Sequence, residues 1–360
     1  MITPNKSLFL HAIAGLMIAA GCPVLAQQAR VLPVTLELGD VSLTKVPYLM
    51  AADYGIYERN GLAVDQFITP NAAELVRGSG IDVPAKYIRA DAVGEMCICG
   101  ASPTVVAMTT VATAPRRIIL ATNDPYSRFH LIVRSDIATP EDLKGKRIGY
   151  GSFGALDHYS LMLFFRKMGW DSAHDVSMFS KGNGPQSIVK GRVDAFAGME
   201  PALAQAKQLG LHDLLDLSQY HFPMPGSSVE AMADWLPKNR ETAARFMKAT
   251  VEAIAMLKSD KKAAFASMTK WYGITDPARL EALYADAKYL PSKPYPSIEG
   301  LKTMQAIYPW REMEKQKPED LVDSSFISDL DKSGFIDSLS KVNGVKAAAS
   351  TGVKAGASAP

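Results

Sequence analysis

Residues 149 to 154, Gly-Tyr-Gly-Ser-Phe-Gly, spell G-x-G-x-x-G. A strand-like KRIGY precedes the loop and a helix-like ALDHYSLMLFFRKMG follows it. Glycines there let the backbone approach a guest, and the helix start offers unpaired N–H groups to an anion. A dinucleotide would need the first glycine at the strand's end and an acid closing the next strand. Gly149 instead lies inside KRIGY, and the next strand, VSMFS, runs into Ser180-Lys181. The loop therefore reads as a dock for the polar end of a small solute. Gly151, Ser152, Phe153 and Gly154 are its candidate contacts, with His158 either facing the solute or satisfied within its helix. Nucleophilic catalysis does not assemble. Tyr150 replaces the glycine that a nucleophile elbow needs before Ser152, and the neighbours Asp157 and His158 cannot both serve one serine.

Two other helix starts carry similar chemistry. In Leu43-Thr44-Lys45-Val46-Pro47-Tyr48, Thr44 offers a hydroxyl and Tyr48 a ring for stacking. In Gly100-Ala101-Ser102-Pro103-Thr104, Ser102 reads either as a plain N-cap or as an N-cap that also meets the solute, with Ala101 and Thr104 beside it and Pro103 at the first helical position. Arg128 could hold a carboxylate or sulfonate bidentately or lie on the surface, and Asn183 follows a strand at the same edge. Cys97 and Cys99 share one face of the strand EMCICG and read as two packed thiols rather than a redox or metal pair. HExxH, CxxC and His-rich tracts are absent, so neither a metal nor a cofactor is expected.

The elements that position these residues alternate. VLPVTLELGD, LAVDQFIT, EMCICG and RRIILAT read as strands, with helical stretches between them, and a second α/β unit begins near FHLIVRSD. In that unit TPEDLKG is a short helix capped by Thr139, and DLLDLS with HFPMPGSS reads as a run back to the first unit. Helical patterns dominate from Ala233 onward. The expected architecture is two α/β lobes, each a mixed sheet flanked by helices, with two hinge crossings and a cleft between the lobes. Residues 29–122 with 226–330 form the first lobe and 123–225 the second. Residues 340–360 form a flexible tail, Ala/Gly/Ser/Lys-rich and without an aromatic anchor. Residues 1–26, with Lys6 before LFLHAIAGLMIAAG, read as a secretory signal peptide cleaved after Ala26. Lipid attachment at Cys22 is less favoured, because Ala19 stands where a larger aliphatic is usual. A formal net charge of +2 gives no nucleic-acid footprint.

The stretch DLKGKRIGYGSFGALDHYSLMLFFRKMGWDSAHDVSMF, then SIVKGRVDAFAGMEPA, resembles extracytoplasmic solute-binding proteins of the aliphatic-sulfonate, nitrate, taurine and thiamine-precursor type. PYLMAADYGIYERNGLAVD is similar to the same family's first helix and second strand, and the resemblance covers roughly residues 34–260. Glu95 departs from a frequent Asp, and Met199 from a frequent aromatic. The resemblance implies a type II periplasmic-binding fold, a monomer that closes on a small, anionic organic solute and an ABC permease of the inner membrane as partner. It also implies a binding role for Glu200 at the family's "E-P" position. Two alternatives stand beside it. One is a thiamine-pyrimidine-related enzyme or binding protein on the same scaffold, and the other is a sensory subunit for a membrane receptor.

Overall fold

The computed structural model describes residues 30–339. The leader, Cys22 and the tail from residue 340 lie outside the described residues. The chain first lays down β1 (Leu32–Leu38), α1 (Val46–Asp53), α2 (Ile56–Arg59), β2 (Leu62–Ile68), α3 (Pro70–Arg77), β3 (Met96–Gly100), α4 (Ala101–Thr110) and β4 (Arg117–Thr122). It then forms β5 (His130–Val133), β6 (Arg147–Tyr150), α5 (Leu156–Met168), β7 (Ser177–Ser180), α6 (Pro185–Val189), β8 (Ala195–Gly198), α7 (Ala202–Gln208) and β9 (His212–Asp216). It returns through β10 (Ser227–Met232) and ends in α8 (Arg240–Ser259), α9 (Lys261–Tyr272), α10 (Pro277–Tyr284), α11 (Ile298–Ile307), α12 (Arg311–Glu314) and α13 (Ser325–Lys332).

These strands make two sheets with one plan. The orders are β2-β1-β3-β10-β4 and β7-β6-β8-β5-β9. In each, the fourth strand is antiparallel to both neighbours while the first three are parallel. The reason is the route of the chain. β5 and β10 enter directly from the other unit, at the end where the parallel strands finish, so they must run the opposite way. The result is a two-lobed α/β fold with both sheets' carboxyl ends turned to a shared boundary. DLLDL is not part of the return run, because it pairs with β5 as the edge strand β9.

Strand β1 shows how pattern becomes packing. Leu32, Val34, Leu36 and Leu38 are buried, and Pro33, Thr35 and Glu37 alternate with them. The buried set joins the first lobe's core with α1, α8 and α9. Within that core Tyr48 and Tyr57 stack on Phe246 of α8. A second core does not stay in one lobe. It joins Val105 and Val106 of α4 to Tyr159 and Phe164 of α5, and to Leu301, Met304, Tyr308 and Met313 of the C-terminal helices.

The two crossings pair with each other. Asn123 N–H donates to Ser227 O (2.7 Å), Met224 N–H to Pro125 O (2.9 Å) and Ser127 N–H to Phe222 O (3.0 Å). Gly226 has φ +57°, and a Cβ there would fall on the Asp124 carbonyl. Helix α11 lies directly on this ribbon, since a Cβ on Gly300 would fall on Met224 and Pro225. Gly300→Ala should therefore lower stability by about 2 kcal/mol or more through overpacking against backbone. Urea unfolding reads this as a lowered midpoint, and an unchanged midpoint would show that α11 does not rest on the ribbon.

Candidate functional site

The glycine loop is already occupied by the chain's own carboxylate. Asp157 Oδ2 accepts from Gly151 N–H (2.7 Å), and Oδ1 accepts from His158 N–H (2.8 Å). Gly154 is buried, and a Cβ on it would strike Val106 of α4. Ser102 is not the N-cap of α4, a place held by Gly100. Its hydroxyl reaches across the lobe boundary to Gly154 O (2.7 Å). Two of the three expected helix starts thus pack on each other. Gly151 N–H is paired within the chain by Asp157, so this one donor of the loop does not wait for a guest.

His158 is a satisfied helix histidine. Tyr308 O–H donates to its Nδ1 (2.7 Å), Gly154 N–H points at the same nitrogen (3.5 Å), and the two rings stack. Phe153 is exposed and lies against Tyr308 and Trp310. Thr104 turns inward and donates to Glu230 (2.8 Å). Tyr48 stacks as expected of its ring, but on Phe246 in the core, because its side chain is fully buried. Ala101 N–H is taken by Gly226 O (2.9 Å). Ser152 is exposed, Asn183 lies against Gly151, and Glu200 is half-buried, accepting from Ala204 N–H (3.1 Å) at the start of α7.

Polar groups gather instead where the crossings leave the first sheet. Lys45 is fully buried, and its Nζ donates to Asp40, to Ser227 Oγ (2.9 Å) and to Thr44 Oγ1 (3.2 Å). Thr44 in turn donates to Ser227 Oγ (3.0 Å). Asn123 Nδ2 donates to the Tyr48 hydroxyl (3.1 Å), while its Oδ1 is buried without a hydrogen-bond partner. Asp124 accepts from Ser227 N–H, and burial pushes its carboxyl up to about 6 against the pull of Arg128 and Lys45.

Arg128 is no surface residue. Its side chain is 9% exposed and stands 3.0 Å from Asp286 and 3.9 Å from Asp124. Nε and Nη1 nevertheless lack a hydrogen bond of proper geometry. Burial raises the carboxyl pKa of Asp286 and Glu200, and the charge of Asp286 adds to the rise at Glu200. Thr44 and Arg128, both expected from sequence, therefore share the lobe boundary with Lys45, Asn123, Asp124, Ser227 and Asp286, which sequence reasoning missed. The signal for Asn123, Asp124 and Ser227 was their place in the two turns, Asn123-Asp124-Pro125 and Pro225-Gly226-Ser227, that flank the crossings; Lys45 stood beside Thr44, and Asp286 carried no signal.

Cys97 and Cys99 are joined as a disulfide, not packed as two thiols. Same-face positions two apart on one strand bring their Sγ atoms together. With Glu37 they form the one group of potential metal ligands among the described residues, but joined sulfurs offer no thiolate.

The family model described as NMT1/THI5 like matches residues 44–264. The chain belongs to this family. The NMT1/THI5-like region thus begins at Thr44 and runs through both sheets. No curated protein matches the chain at a significant level. Among solved structures, the alkanesulfonate-binding protein SsuA of Xanthomonas axonopodis pv. citri, bound to MOPS, is similar with a TM-score of 0.61 and 18% identity, over 82% of this chain and 99% of that one. The periplasmic aliphatic sulphonate binding protein SsuA of Escherichia coli gives 0.59 and 16%, over 81% and 98%. The desulfurization enzyme DSZB gives 0.57 and 13%, over 82% and 98%. At these identities the likeness is one of fold.

Burial pushes His158 down to about 4 from 6.5. Between those values the folded chain binds fewer protons than the unfolded one, so this group's stability is lost as pH falls. Asp157 acts in the opposite sense, since burial raises it from 3.8 to about 6 and its protonation favours the fold at low pH. His158→Gln removes the first effect only. Compared with the variant, the native chain should lose about 2–3 kcal/mol between neutral pH and pH 4. Melting temperatures across that range check it, and parallel curves for the two proteins would place the pH response elsewhere.

Proposed function

We propose that this NMT1/THI5-like chain is the periplasmic, substrate-binding component of an ABC importer. It holds a small organic acid at the lobe boundary, performs no chemistry on it and delivers it to a membrane permease as a monomer. The lobes so assigned are residues 29–122 with 226–330, and 123–225, hinged at the paired crossings. The observation that carries the reading is Arg128, nine-tenths buried between the lobes with N–H directions unused. A guanidinium with spare N–H groups suits a sulfonate or carboxylate, which accepts along two directions at once. Asn123 Oδ1 adds the opposite need, a hydroxyl or amino group to donate to it.

The fold-likeness to two sulfonate-binding proteins supports the same class of solute. A catalytic role, as in DSZB, has less behind it. The two described cysteines are tied to each other, and His158 is committed to Tyr308 rather than to a nucleophile. Among the described residues no helix is long and apolar enough to cross a membrane.

Thermal shifts with straight-chain alkanesulfonates, MOPS, aromatic carboxylates, nitrate and pyrimidines test the reading. At least one sulfonate or carboxylate should raise the melting temperature and be recovered unchanged. Arg128→Gln should weaken its binding about thirtyfold or more, the cost of removing one side of a buried charged contact. Stabilisation by neutral or cationic compounds alone, or conversion of the solute, would overturn the proposal.

A further inference from the structure

The face of the first sheet opposite its core is polar. Glu37 on β1 stands in register with Cys97 on β3, and Glu230 of β10 pairs with Cys97 from the other side. Cys97 is fully buried, whereas Cys99 is partly exposed at the end of β3. Glu37 Oε1 lies 4.0 Å from Cys99 Sγ. The other Glu37 oxygen lies 3.6 Å from the guanidinium of Arg117, which is 6% exposed and keeps Nη1 without a hydrogen-bond partner. This setting places a carboxylate, itself paired with a buried guanidinium, beside a reachable sulfur.

A bond between residues 97 and 99 closes a very short ring. Little chain entropy is removed from the unfolded state by so small a loop, so the bond is a weak staple for the fold. Its position is more telling. Gly39 donates its N–H to Ile98 O (3.1 Å), and a Cβ on Gly39 would lie 3.1 Å from Cys99 Sγ. Asp40, Thr44 and Lys45 follow in the same loop. The sulfur thus lies against Gly39, where the segment leading to the buried lysine begins.

We propose that Cys97–Cys99 is a reversibly reducible disulfide whose state sets the position of the Gly39–Lys45 loop. A thiolate of an external thiol reductant attacks Cys99 Sγ, the S–S bond breaks, and Cys97 leaves as thiolate and takes a proton. A second reductant thiol then displaces the first as a disulfide and frees Cys99. In sum, the protein disulfide and two thiols become two protein thiols and one external disulfide, a two-electron exchange. Glu37, 4.0 Å from Cys99 Sγ, takes and returns the Cys99 proton. That the moving loop adjusts solute affinity rests on the proposed function; the exchange reaction does not.

The full chain, purified in air, is incubated natively with dithiothreitol and then alkylated, with peptide mass mapping to separate Cys22. Before reduction Cys97 and Cys99 should be unlabelled, and after it both should be labelled without unfolding. Hydrogen exchange in residues 39–45 should rise about fivefold or more on reduction, a modest local coupling. The Cys97→Ser/Cys99→Ser chain should show the same exchange with or without dithiothreitol. Free thiols in the air-purified chain, reduction only after unfolding, or unchanged exchange in residues 39–45 would each overturn the proposal.

Discussion

The pairing of the two crossings with each other is the constraint on which the rest depends. Each crossing alone is a few residues of turn-prone chain with backbone groups to satisfy. Bonded together as a short ribbon, they satisfy those groups and fix where β5 and β10 enter their sheets. The antiparallel fourth strand of each sheet is thus a consequence of the ribbon. So is the position of Asn123, Asp124 and Ser227, which the ribbon holds against Lys45. Their interaction energies are those of buried polar groups: modest when complete and costly when one partner is lost.

The alternation of strands and helices was legible in the sequence because it is local. Apolar period, caps and turn residues locate β1, the helix after Gly100 and the Thr139-capped turn. The ordered series of short motifs went further and reached the two-lobed fold. What stayed hidden were pairings between distant segments. Asp157 stood out in the sequence only as a neighbour of His158, but folding carries it onto Gly151 N–H. Arg128 looked equally at home on a surface until Asp286, more than a hundred residues later, came to face it. Ser102 had the right type and place for an N-cap, yet tertiary contact with Gly154 claimed its hydroxyl. Spacing put Cys97 and Cys99 on one face but could not say that they bond.

The same comparison separates two ways of handling a polar helix start. At α5 the chain supplies the anion from its own next turn, and the burial cost shows in the raised Asp157 carboxyl. At the lobe boundary it leaves groups unanswered, on Arg128 and Asn123.

Helix α11, with Tyr308 and Met313 after it, touches α4, α5 and the ribbon, yet it lies near the C-terminal end of the described chain. Translation therefore delivers the halves first and their fastening last. Until roughly the three-hundredth residue has emerged, the halves meet only through contacts such as Ser102 with Gly154 and the paired crossings, and Val106, Tyr159 and Met224 lack part of their final cover.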